Sequence, residues 1–98
     1  MYRHIIHVTV LPMKPGLDEL FLADLVRIVE DSRLFSGCLS FDLYRLTNEP
    51  NAIVLHEIWE TQEAYQAHSH SPLRGELTRI TAAALARPIQ TWQVEEIC

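Results

Sequence analysis

The chain has 98 residues, of which 48% are hydrophobic and 21% charged, and its 8 Lys and Arg against 13 Asp and Glu give a formal net charge of −5. That length holds one domain spanning residues 1–98 and excludes two domains closing on a cleft. The composition excludes disorder, and the acidic balance with scattered basic residues excludes a nucleic-acid partner.

A chain this short buries only roughly 60–65% of its unfolded surface, which leaves little room for a large cofactor. No apolar stretch approaches the about 18 residues of a membrane span, so no membrane partner is expected. Arg3, His4 and His7 interrupt any signal-peptide core. The two cysteines, Cys38 and Cys98, form neither a disulfide framework nor a metal knuckle. These features favour a reducing, cytoplasmic location.

Tyr2 to Leu11 alternates and is rich in β-branched residues, which predicts a strand. Pro12 and Lys14-Pro15-Gly16 end it. Leu17, Leu20, Phe21, Leu25, Ile28 and Val29 then share one helical face. Asp18 and Glu19 sit in the first turn, where carboxylates suit the helix dipole. This helix is expected to reach Leu34, with Gly37 breaking any continuation. Cys38 to Leu46 and Ala52 to Glu60 read as strands joined by the turn Thr47-Asn48-Glu49-Pro50-Asn51, a hairpin. Thr61 caps a short helix through Ser69, and Ser71-Pro72 opens another. The latter carries Leu73, Leu77, Ile80, Ala84 and Leu85 on one face until Arg87-Pro88. Ile89 to Ile97 is a fourth strand. The order β-α-β-β-α-β predicts a ferredoxin-like α+β fold, a four-stranded antiparallel sheet with helices on one face.

These strands are apolar on both faces. Ile53, Leu55 and Trp59 oppose Val54 and Ile58; Leu39, Phe41 and Leu43 oppose Tyr44 and Leu46; Ile6, Val8 and Val10 oppose Ile5 and Leu11. Helices cover one face only, and a large apolar patch on the other marks an association surface. A homodimer with sheets packed face to face is expected.

Gly37-Cys38-Leu39-Ser40-Phe41-Asp42-Leu43-Tyr44-Arg45 resembles the second strand of the antibiotic biosynthesis monooxygenase family. Glu57-Ile58-Trp59-Glu60, Glu63-Ala64-Tyr65, Ala67-His68 and Ser71-Pro72 resemble its second block, and Lys14-Pro15-Gly16 its first turn. The resemblance implies a dimeric α+β barrel with one pocket per subunit between sheet and helices. The family includes oxygenases that turn phenols and hydroquinones into quinones without a cofactor. More distant relatives degrade haem, isomerise an autoinducer, or have no assigned chemistry.

In the aromatic-polyketide oxygenases this chain resembles, a tryptophan and a tyrosine six residues later line the pocket; Trp59 and Tyr65 match. The asparagine expected four residues before the tryptophan is replaced by Leu55, so the amide that would hold a substrate carbonyl is missing. An arginine twenty residues after the tryptophan lands on Arg79. Trp59 and Tyr65 can equally be core aromatics. His68 matches the histidine of the family's Ala-His-x-x-Ser-Pro stretch and shares a helix face with Ala64 and Tyr65. It can act as a base, or hydrogen-bond the backbone and lock the break at Ser71.

Glu57 shares strand parity with Leu55 and Trp59. A carboxylate there needs a partner: it is a rival base, or pairs with Arg74 or Arg79, or lies at an open edge. Phe21 joins Leu55, Glu57 and Arg79 in the expected substrate pocket, with His68, Trp59 and Tyr65 as candidate catalytic residues. The five histidines lack metal spacing: His4 and His7 face opposite ways, and His68 and His70 diverge. Cys38 reads as a small buried hydrophobe.

The activity implied is a monooxygenase using O2 on a small aromatic or quinol-like substrate, with no flavin or metal as cofactor. The alternatives are a non-catalytic small-molecule-binding or stress-response barrel, and a haem-binding or haem-degrading relative with His68 near the iron.

Overall fold

The computed structural model describes residues 3–98, so Tyr2 of the expected first strand lies outside the described residues. Four strands form one sheet: β1 (Ile5–Pro12), β2 (Cys38–Arg45), β3 (Ala52–Trp59) and β4 (Gln90–Val94). Their order is β2-β3-β1-β4 and all neighbours are antiparallel. Three helices complete the chain: α1 (Glu19–Ser32), α2 (Gln62–Ser69) and α3 (Pro72–Ala82). This is the expected ferredoxin-like α+β arrangement.

Each helix starts where a side chain can take up an orphan backbone N–H. Asp18, Thr61 and Ser71 accept from Phe21, Ala64 and Arg74 respectively. Asp18 is thus the cap of α1 rather than part of its first turn. The break between α2 and α3 is fixed twice by Ser71, whose hydroxyl also donates to the His68 carbonyl at 2.6 Å.

Cross-strand register decides which face meets the helices. His7 lies opposite Glu57, Thr9 opposite Leu55 and Ile5 opposite Trp59. With Phe41 and Leu43 of β2 these make the inner face. Trp59, Phe41, Leu25 and Ile28 are wholly buried at its centre, with Leu11, Met13, Val29, Ile53, Leu55 and Leu77 around them. The outer face carries Ile6, Val8, Val10, Val54 and Ile58. Tyr44, Trp92 and Val94 on that face are 56%, 47% and 41% exposed.

The ends of α3 and β4 differ from expectation through long-range contacts, and a bulge interrupts β2. α3 stops at Ala82, not at Arg87-Pro88, because the following backbone is taken by β1. Lys14 N–H donates to the Ala84 carbonyl, Ala86 N–H to that of Pro12, and Leu85 bridges Met13. β4 ends at Val94, opposite Ile6, because β1 has only Ile5 left to pair with. In β2 a bulge between Cys38 and Ser40 removes Leu39 from the face of Phe41 and Leu43 and leaves it half exposed. α1 also closes at Ser32, slightly before Leu34.

Gly37 sets the distance between β2 and α2. Its φ is +81°, and a Cβ there would sit 2.5 Å from the Ala64 Cβ. Gly16 has a similar φ of +85° but open space around it. Gly16→Ala is therefore expected to cost about 1–2 kcal/mol of backbone strain, and Gly37→Ala about 3 kcal/mol or more through added overpacking. Urea unfolding of the two variants checks this; equal losses would show that α2 yields freely.

Candidate active site

A cavity of about 320 Å³ opens between the inner sheet face and α3. β1 supplies His7, Thr9 and Leu11, β3 Leu55 and Glu57, and β4 Thr91. Tyr65 comes from α2; Arg74, Leu77, Thr78, Thr81 and Ala82 come from α3 and its end; Leu85 and Ile89 come from the connector. The walls are largely apolar, with hydroxyls and the side chains of His7, Glu57, Tyr65 and Arg74 set among them.

The floor is an ion pair. Glu57 is 2% exposed on the inner face. Arg74 grips its carboxylate with both terminal nitrogens, and the Trp59 indole N–H donates to the same carboxylate at 3.0 Å. A buried carboxylate is tolerated only with partners of this kind. Of the two arginines considered as partners for Glu57, Arg74 is the one that reaches it.

Behind Arg74 lies His68, wholly buried. The Ser32 hydroxyl donates to the Ile28 carbonyl at 2.7 Å, so its oxygen must accept from His68 Nε2–H at 2.9 Å. Arg74 Nε–H donates to His68 Nδ1 at 3.2 Å. The two contacts select one neutral tautomer, with both ring nitrogens engaged. Phe35, Phe41 and Trp59 surround the ring. Burial, and then the Arg74 charge, lower its pKa to about 4, with Glu57 acting weakly the other way.

His7 is the second buried imidazole. It is 9% exposed, and neither ring nitrogen has a hydrogen-bond partner. Its ring lies flat on Tyr65, with centroids 4.1 Å apart and planes within 2°. Burial lowers its pKa; Glu57 raises it and Arg74 lowers it by lesser amounts. Nearby, the hydroxyls of Thr9 and Thr91 meet at 3.1 Å.

The structure therefore brings Tyr65, Leu55 and Glu57 to the cavity. It places Trp59 and His68 beneath its floor, Phe21 on α1 packed against the core, and Arg79 exposed on α3 outside the lining. The nitrogens that a haem iron would need on His68 are both occupied. Cys38 is partly buried, and burial pushes its thiol pKa up. Among the described residues no three His, Cys, Asp or Glu side chains gather as a metal site, and no helix is long and apolar enough to cross a membrane.

Sequence reasoning missed His7, Thr9, Thr81 and Thr91, and saw Arg74 only as a partner for Glu57. The signal for the first two was in β1. Its inner parity reads Ile5, His7, Thr9, Leu11, two polar residues in the middle of a face that packs on helices.

Residues 4–77 match the antibiotic biosynthesis monooxygenase family, and the chain belongs to that family. An uncharacterized protein of Synechocystis sp. is 30% identical over 78 residues, covering 80% of this chain and 53% of that protein. The chain thus spans about half the length of this curated relative. A candidate antibiotic biosynthesis monooxygenase from Nitrosomonas europaea has the same fold, with a TM-score of 0.90 at 18% identity over 99% of this chain and 93% of its own. A conserved protein of Methanosarcina mazei Go1 gives 0.88 at 17%, over 97% and 94%. A Pseudomonas aeruginosa protein gives 0.85 at 21%, over 100% and 98%. At these identities the solved structures establish the fold.

The His68 contacts have a consequence for acid stability. Its folded pKa of about 4 lies below the unfolded value of about 6.5. The unfolded chain therefore takes up a proton first as pH falls. Stability is lost between about pH 6.5 and pH 4, by about 3 kcal/mol from this residue, and no further below. Denaturant titrations of wild type and His68→Gln at several pH values check this. The difference between them is expected to shrink by that amount on going from pH 7 to pH 4; a constant difference would contradict the assignment.

Proposed function

We propose that the chain is a monooxygenase that oxidises a small hydroxyaromatic or quinol-like substrate with O2 in the cavity above Glu57 and Arg74, without flavin or metal. The observation that carries this reading is the arginine held by a buried carboxylate at the floor of an apolar cavity. It presents fixed donors where a phenolate oxygen would form, among walls that are mostly apolar. The cavity lies at the small end of the usual range for ligand sites, which suits one or two fused rings.

In this reading the substrate hydroxyl loses its proton and a ring carbon ortho or para to it that bears hydrogen gains carbanion character. That carbon reduces O2, and a C–O bond forms to give a hydroperoxide once a proton is returned. Cleavage of the O–O bond with loss of the hydrogen on the same carbon releases water and leaves a carbonyl. The sum is hydroxyarene plus O2 giving quinone plus water. The substrate supplies all four electrons, so no further reductant enters. Tyr65 and Leu55 shape the cavity, while Trp59 and His68 act from beneath by holding Glu57 and Arg74.

Oxygen uptake and quinone absorbance with a panel of one- and two-ring hydroquinones test the reading. Turnover above autoxidation is expected, with kcat/KM reduced on the order of 10²-fold in Arg74→Lys, which keeps the charge but loses the forked contact. Binding without oxygen uptake would make the chain a non-catalytic binding barrel instead.

We infer also that two copies pair through the outer sheet face. Support comes from the exposure of Tyr44, Trp92 and Val94 beside the half-buried Ile6, Val8, Val10, Val54 and Ile58. Light scattering at micromolar concentration is expected to give twice the chain mass, and Val8→Asp the mass of one chain. A monomeric wild-type protein would end this inference.

A further inference from the structure

We propose that His7, rather than His68 or Glu57, accepts the proton of the substrate's hydroxyl, a role that the oxidation requires of some group. The proposal rests on the reading of the cavity as a hydroxyaromatic site, and it concerns one bond. The substrate O–H breaks, its proton passes to a ring nitrogen of His7, and a phenolate and an imidazolium result; no electron moves. The same proton is available later to the peroxide oxygen.

Three observations converge on this residue. First, His7 is nine-tenths buried and neither of its ring nitrogens meets a protein partner. An unsatisfied buried polar group is destabilising, and its place on an inner sheet face calls for a ligand that satisfies it. Second, the ring lines the cavity and its plane is set by the stack on Tyr65; both nitrogens lie just beneath the cavity surface, and a substrate hydroxyl reaches one of them by displacing the side chains packed over it. Third, the charged and titratable groups facing it from the packed elements are Glu57 on β3, Tyr65 on α2 and Arg74 on α3, whereas β4 presents Gln93 and Thr91. Glu57, directly opposite in register, offsets the charge that the ring gains.

The contrast with His68 sharpens the choice. The lone pair of His68 is taken by Arg74 and its N–H by Ser32, so it has no site left for a proton. Burial lowers the pKa of His7, so its ring is neutral and carries a free lone pair; Glu57 opposite offsets the charge gained when that lone pair takes the proton.

The probe is 4-nitrophenol, whose ionised form is yellow and which needs no O2. At a pH where it is mostly protonated in solution, the wild-type protein is expected to bind it as the phenolate. His7→Phe, which keeps a flat ring on Tyr65, and His7→Gln, which keeps hydrogen-bonding capacity without basicity, are expected to bind it protonated. Thermal melts confirm that the variants fold, and ¹⁵N-histidine spectra of the wild type are expected to show His7 alone becoming imidazolium on binding. With a quinol that turns over, both variants are expected to lose on the order of 10²-fold in kcat. They should also lose the acid limb of the wild-type pH profile, in which activity falls as the base becomes protonated.

Equal phenolate formation in all three proteins, or bound 4-nitrophenol that stays protonated on the wild type, overturns the assignment of His7. A wild type that binds no 4-nitrophenol at millimolar concentration overturns the site itself. Phenolate formation without oxygen uptake for any quinol overturns the oxidation and leaves His7 as the proton acceptor of a hydroxyaromatic-binding site.

Discussion

The ion pair between Glu57 and Arg74 ties the layers of this protein together. A carboxylate 2% exposed in the middle of a packed sheet face would be strongly destabilising alone, and breaking such a pair costs more than the pair contributes. Its geometry depends on a relay that visits every helix. Ile28 and Ser32 of α1 fix the His68 tautomer, His68 of α2 receives Arg74 Nε, and Arg74 of α3 holds Glu57 of β3. The break at Ser71 makes this possible. It turns α3 away from α2 so that side chains six residues apart meet as donor and acceptor. The polar relay therefore orients the helices over the sheet as well as making the cavity floor.

The local grammar of the fold was legible in the residues. Caps at Thr61 and Ser71, the hairpin around Pro50 and the change of period at Leu17 all follow from near-neighbour chemistry, and the structure keeps them. The ends of α3 and β4 were not legible, because each is set by backbone groups of β1 about 70 or more residues away in sequence. The site divides in the same way. Strand parity and a family resemblance brought Leu55, Glu57 and Tyr65 into view. Parity says which residues share a face but not which face meets the helices, so His7 passed as one of a non-matching pair of histidines. Arg79 lay at the expected interval from Trp59, but the direction of α3 after Ser71 puts Arg74, one and a half turns earlier, over the sheet.

The electrostatics of the cavity follow from these placements. Glu57 and Arg74 cancel one another, and two imidazoles close by are kept neutral by burial. The site thus holds strong donors and an acceptor without a standing net charge. In the proposed reaction, ionising a phenol would create an anion and an imidazolium together, inside the same apolar walls. Such a pair is formed by moving one proton a short way rather than by bringing an ion in from water, which limits the desolvation that a charged substrate would incur on entry.

Thr78, Thr81, Ala82, Leu85, Ile89 and Thr91 line the cavity at positions that follow Arg74 in the chain. The floor and the far wall are therefore built from successive stretches: β3 and the start of α3, then the end of α3, the connector and β4. The clip of Leu85 to Met13 fixes where the second stretch turns back toward the sheet. None of the six wall residues takes part in the hydrogen bonds that hold Arg74 to Glu57, so the contour a ligand meets and the charge beneath it are set by separate side chains.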